Sequence, residues 1–180
     1  MMYEGAEIFV SKDSDDRIRQ VTTHLIQTGK SISCAESCTG GLLSARLTDR
    51  AGSSLYMMGG VVSYTNAVKV SLVGVQETTL DAHGAVSEET AREMAEGIRT
   101  RIHTDYGVGI TGIAGPGGAT ETKPVGLVYI GVASAWNTMI TKNVFTGNRA
   151  SVRYQATEKA LQMLMEMFAG ESATEERKNI

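Results

Sequence analysis

The sequence predicts an α/β protein, a three-layer α/β/α sandwich around a mixed β-sheet. Two observations carry that reading. Strand-like segments alternate with amphipathic helical ones, and two late apolar runs flank Ala135-Trp136-Asn137-Thr138, which makes a hairpin. The 180 residues, 42% of them hydrophobic, are enough for one domain with a closed core. That domain is expected over residues 14–170, with 1–13 and 171–180 as flexible ends.

The elements follow in order. Ile18, Val21, Leu25 and Ile26 recur at helical spacing, with Ser14 as N-cap and Gly29 as stop signal. Lys30 to Ala35 alternates Ile32 and Cys34 against Ser31 and Ser33, as a short strand does. Thr39-Gly40-Gly41 then opens the helical run Leu42, Leu43, Ala45, Leu47. Gly59 to Thr65 predicts a second strand, Asn66 caps a short helix carrying Lys69, and Gly74 ends it; residues 81–84 mark another helix terminus. Ser87 caps a helix with Glu88 and Glu89 in its first turn, where the helix dipole favours anions. Its apolar stripe is Ala91, Met94, Ala95, Ile98 and Ile102. Tyr106 to Thr111 is a buried strand, followed by a glycine-rich loop. Val125 to Ala133 and Met139 to Phe145 form the hairpin, and a last helix spans about 150–168. The nine methionines read as core filling on helix faces.

Composition excludes several classes. A net charge of −3 and no basic stripe argue against nucleic acid, and no run of about 18 apolar residues argues against a membrane span. The acidic start carries none of the bases of a signal peptide, so a cytoplasmic protein is expected. Cys34 and Cys38 are expected as free thiols. The three histidines, His24, His83 and His103, lie far apart with no ligand spacing, so neither a metal nor another cofactor is expected.

Four constellations can carry chemistry. In Glu36-Ser37-Cys38-Thr39-Gly40-Gly41, between a strand and a helix, the glycines allow close approach and the first helical N–H groups lack internal acceptors. A phosphate can dock there with the hydroxyls of Ser37 and Thr39; the same residues read equally as a tight turn with a cap. Gly52-Ser53-Ser54 is followed by Tyr64 and Lys69. Lysine can deprotonate a serine only if burial or charge lowers its pKa from about 10.4 towards neutrality. Tyr64 can pass the proton or orient the amine. The loop Thr111-Gly112-Ile113-Ala114-Gly115-Pro116-Gly117-Gly118 follows a buried strand, at the sheet edge where open α/β proteins bind ligands. Arg149 and Arg153 stand at the mouth of the last helix, able to fork phosphate or carboxylate oxygens, or simply to be solvated charges.

Four ordered motifs, AESCTGG, AGSSLYMMGGVVSYTNAVK, HGAVSEETAREMAEG and GIAGPGG with KPVG after it, together resemble the CinA C-terminal domain family over about residues 18–168. Characterised members of that family are nicotinamide-nucleotide amidases. The resemblance implies hydrolysis of nicotinamide mononucleotide to nicotinate mononucleotide and ammonia, without a metal. It implies Ser54 as nucleophile, Lys69 as base and Tyr64 as its polar companion, with Ser37 and Thr111 as further site hydroxyls. Substrate binding is expected from Ser37, Thr39, Gly40, Gly41, Gly60, Thr111, Gly112, Gly115, and Arg149 or Arg153 at the phosphate. It also implies a homo-oligomer. The alternatives are a non-catalytic nucleotide-binding or regulatory module, or an amidase of the same mechanism acting on another substrate. Some family members carry an additional domain resembling molybdopterin-binding proteins, linked to pyrophosphatase activity, and nothing in these residues supports that activity.

Overall fold

The computed structural model describes the backbone of residues 12–178 and the side chains of residues 16–174. Five strands, β1 (Ile32–Glu36), β2 (Met57–Val62), β3 (Tyr106–Gly112), β4 (Leu127–Ala133) and β5 (Thr138–Val144), form one sheet in the order β2-β1-β3-β4-β5. The first three are mutually parallel, and β4 and β5 add antiparallel. This is the mixed sheet expected from the interleaving and the late hairpin.

One face is covered by α5 (Glu88–Ile102), which follows the short helices α3 (Asn66–Val68) and α4 (Glu77–His83). The other carries α1 (Lys12–Thr28), α2 (Leu42–Thr48) and α6 (Arg149–Lys178). The seating of α5 is written in glycines. A Cβ on Gly107 of β3 would fall 2.2 Å from the Ala95 carbonyl oxygen; one on Gly109, or on Gly131 of β4, would fall 2.6 or 2.7 Å from that of Ala91. Bare strand backbone therefore lets the helix lie directly on the sheet. On the opposite face Val21, Leu25, Leu43, Leu47, Ala156, Leu161 and Leu164 close the larger core, and Glu158 of α6 pairs with both Arg17 of α1 and Arg46 of α2.

Several boundaries differ from expectation. Ser14 lies within α1 rather than capping it, since the helix begins at Lys12. β1, expected from Lys30 to Ala35, runs from Ile32 to Glu36 and is buried along its whole length, because a central parallel strand is covered on both faces; its one serine, Ser33, is partnered inside, with Oγ 2.7 Å from Thr104 Oγ1. The cap before Asn66 is Thr65, whose Oγ1 accepts from the Val68 amide. Ser87 caps α5 as expected, accepting from the Thr90 amide at 3.2 Å. α6 continues through the expected flexible end to Lys178, whereas residues 1–11 of the other expected flexible end lie outside the described residues. Among the described residues, no helix is long and apolar enough to cross a membrane.

Candidate active site

Parallel strands β1, β2 and β3 end side by side, at Glu36, Val62 and Gly112, and the segments leaving them surround a cavity of about 270 Å³. Ser37 and Cys38 leave β1, Tyr64 follows β2, and Gly112 to Gly118 follow β3; Lys69, Ala85, Val86 and Arg149 complete the wall. The carboxyl edge of a parallel sheet favours such clefts because successive loops diverge there.

Lys69 reaches this cavity through an unusual turn. The short helix α3 (Asn66–Val68) widens into a π-helical turn over Lys69–Val73, closed by Gly74 at φ 90°, whose N–H reaches both the Lys69 and Val70 carbonyls. The turn leans on α5 at Gly97, where a Cβ would fall 2.0 Å from the Val73 carbonyl oxygen. Lys69 is 1% exposed, and its Nζ donates to the Ser63 carbonyl at 2.7 Å. The same Nζ lies 3.0 Å from Ser37 Oγ, donating to it when charged. Burial lowers the Lys69 pKa below its ordinary value, opposed by the neighbouring Cys38. A neutral amine held by one carbonyl keeps a lone pair for the Ser37 hydroxyl proton.

The serine beside Lys69 is therefore Ser37, not Ser54. Ser54 sits in a 3₁₀ turn, Ser53–Leu55, before β2 begins, exposed and at the opposite end of the sheet. The six residues of β2 alone span roughly 20 Å, beyond lysine's reach. Tyr64 lines the cavity, but its hydroxyl accepts from Arg149 at 2.9 Å, and it has no hydrogen bond to Lys69 or a serine. Arg149 also donates to the Gly115 carbonyl at 2.8 Å, bridging the loops that follow β2 and β3.

Other expected binding residues have structural duties. The amides of Gly41, Leu43 and Ser44 are taken by the Glu36 carboxylate, so the start of α2 has no vacancy for a phosphate. The neighbouring Gly40, at φ 59°, turns the chain beneath Arg153. Arg153 donates twice to the Thr39 carbonyl, at 2.6 and 3.2 Å, and stands outside the cavity wall. Thr39 Oγ1 is buried without a partner among the described residues. Thr111 Oγ1 donates to the Ala85 carbonyl at 2.6 Å, tying β3 to the loop before α5. Gly60 faces α2, where a Cβ would meet Ser44 Oγ at 2.9 Å. Gly112, Gly115, Arg149 and Ser37 do line the cavity.

Cys38 lines it too. Burial, aided by the Glu36 charge, pushes its pKa up to about 12, so the thiol is protonated at neutral pH. Among the described residues no cluster of His, Cys, Asp or Glu could hold a metal ion.

Sequence reasoning set Ser37 among the binding hydroxyls and did not see Glu36 as an anchor. A signal for the first was present: Ser37 follows a strand and Ser54 precedes one, and only the former end of a parallel sheet carries the cleft.

Comparison with known proteins agrees with the architecture. The model of the CinA C-terminal domain matches residues 15–168. A CinA-like protein of Syntrophomonas wolfei is 48% identical over 155 residues, covering 86% of this chain and 37% of the relative. One of Mycolicibacterium gilvum is 52% identical over 143 residues, covering 79% and 34%. The chain thus spans little more than a third of these relatives. Among solved structures, the competence/damage inducible protein CihA of Agrobacterium tumefaciens superposes with a TM-score of 0.84 at 39% identity, covering 87% of this chain and 96% of that one. A CinA superfamily protein of Escherichia coli gives 0.82 at 28%, covering 93% and 99%. A matching domain model over most of the chain, close relatives and a shared fold place this protein in the CinA C-terminal domain family.

Proposed function

We propose that this protein is an amidohydrolase of the serine–lysine type, converting nicotinamide mononucleotide to nicotinate mononucleotide and ammonia, with Ser37 as nucleophile and Lys69 as its base. The observation that carries the reading is the buried Lys69 amine 3.0 Å from Ser37 Oγ, at the mouth of a cavity on the carboxyl edge of the sheet. The resemblance of the sequence motifs to those of amidases in the same family supplies the substrate class.

The chemistry follows from the contact. Neutral Lys69 accepts the Ser37 proton as Oγ adds to the carboxamide carbon, and the lysine ammonium then donates that proton to the amide nitrogen, so that the C–N bond breaks and ammonia leaves. Water adds to the resulting ester, losing one proton to Lys69; the ester C–O bond breaks as Lys69 returns that proton to Ser37 Oγ, and the acid product releases its own proton to solvent and leaves as the carboxylate. Arg149 is the cavity's cation for the substrate phosphate, exchanging its contacts with Tyr64 and Gly115 for phosphate oxygens. Anchoring the nucleotide at a remote phosphate turns binding energy into alignment of the amide.

Ammonia release from nicotinamide mononucleotide by the purified chain, in chelator-treated buffer, tests this. Turnover abolished by Ser37→Ala supports it. Tight nucleotide binding without turnover favours a non-catalytic binding module, and turnover of other amides but not this one assigns the same mechanism to another substrate.

A further inference from the structure

The residue before the serine, Glu36, is the last of β1 and 1% exposed. Among the described residues it makes no ion pair with any lysine or arginine. Its carboxylate is instead met by four donors. Oε2 accepts from the amides of Gly41 at 3.1 Å and Leu43 at 3.0 Å, and Oε1 from the amide of Ser44 at 2.8 Å and its hydroxyl at 2.7 Å. Its main chain stays in the sheet, where its carbonyl accepts from the Ser63 amide at 2.8 Å. Glu36 therefore fastens the end of β1 to the start of α2 across the turn 37–41.

Ser37 lies inside that closure. On one side its amide donates to the Ile110 carbonyl of β3 at 2.9 Å. On the other, the chain passes through Gly40 and Gly41, at φ 59° and 92°, a pair with little stiffness of its own. The carboxylate supplies the missing stiffness, and no neutral side chain replaces it simply. Four converging donors require four acceptor sites, and a glutamine amide would turn its NH₂ towards at least one N–H. A second effect of the buried negative charge falls on Cys38, whose thiol it helps keep protonated.

We infer that Glu36 is a positioning residue for the nucleophile: its carboxylate clamps the turn 37–41 so that Ser37 Oγ stays within hydrogen-bond reach of Lys69 Nζ. The inference rests on the reading of Ser37 and Lys69 as the reacting pair. The tolerance is narrow, because misplacing a reacting group by about 1 Å can cost about 100-fold in rate.

The test is Glu36→Gln in the full chain, read by crystal structure and by kinetics with nicotinamide mononucleotide. The expected result is a Ser37 Oγ to Lys69 Nζ separation beyond hydrogen-bond reach, kcat lower by about 100-fold and KM within about 3-fold. A folded variant that keeps the separation and a kcat within about 2-fold of wild type overturns the inference, as does a proportionate change of kcat and KM at an unchanged separation. If Glu36→Gln does not fold, Ser44→Ala removes only the hydroxyl donor. A fall in kcat of roughly 3- to 10-fold at constant KM supports the clamp, and unchanged kcat rejects it. Failure of the wild type to release ammonia counts against the amidase reading alone, since the crystallographic separation still reports on the clamp.

Discussion

Lys69 Nζ and Ser37 Oγ, 32 residues apart in sequence, meet at 3.0 Å in a buried position, with the Ser63 carbonyl holding the amine from its other side. Neighbouring parallel strands create the meeting: β1 delivers the serine at its end, and the segment after β2 returns the lysine to the same edge. Exchanging either residue is expected to remove nearly all catalysis. Ser37→Ala and Lys69→Ala should each lower kcat by roughly three orders of magnitude or more, while Ser54→Ala stays within about 2-fold of wild type, measured as ammonia release. A large loss at Ser54 with activity intact at Ser37 would refute the assignment.

As the proposed base, Lys69 must be free of its proton. Since burial lowers the Lys69 pKa, kcat/KM is expected to climb with pH through a value below that of ordinary lysine and then level off. Stability carries the same signature. Between the lowered folded value and the ordinary unfolded one, the unfolded chain binds a proton that the folded chain does not, so stability rises with pH across that window. Melting curves of wild type and Lys69→Met at several pH values should show the wild type gaining relative to the variant as pH rises, and parallel curves would count against a depressed lysine.

Gly97 supports Lys69 from α5. Because a Cβ there would lie 2.0 Å from the Val73 carbonyl oxygen, Gly97→Ala must push the π-helical turn away or displace the helix. Overpacking of this kind costs about 1–3 kcal/mol, so a melting temperature several degrees lower and a kcat reduced beyond what KM reports are expected. Unchanged melting and kinetics would show that the turn is free to move.

Two arginines one helical turn apart are expected to behave differently. Arg149 lines the cavity, so Arg149→Ala should raise KM for the nucleotide by about 10-fold or more with little loss of stability. Arg153 holds the Thr39 carbonyl from outside, so Arg153→Ala should lower the melting temperature and act on kcat more than on KM. Steady-state kinetics paired with thermal denaturation separates the two.

Cys38 borders Ser37, the proposed nucleophile, but is no rival to it. With its pKa pushed up to about 12, the thiol is expected to resist alkylation by iodoacetamide at pH 7.5 in the folded protein, and Cys38→Ser to retain turnover within about 10-fold. Rapid labelling, followed by mass spectrometry, would show instead that the thiol ionises.

Much of the fold was legible because local rules and tertiary packing agree. Ser87 caps α5 and Gly74 ends the turn that carries Lys69, as short-range signals indicate, and Ala91, Met94, Ala95 and Ile98 are the buried stripe of α5. Where the two levels compete, the sequence misled. Ser14 has the chemistry of a cap, but the helix extends past it.

The same division runs through the site. By itself the sequence determined the interleaved α/β order, the hydroxyl- and glycine-rich turns at strand ends, and a lysine in a stretch without histidine. Only the tertiary structure decided which serine meets that lysine, that Glu36 occupies the amides that look open to phosphate, and that Arg153 braces the turn while Arg149 faces the cavity. The reason is physical: a residue's propensity is fixed by its near neighbours in the chain, whereas its reaction partner is fixed by which edge of the sheet each strand delivers it to.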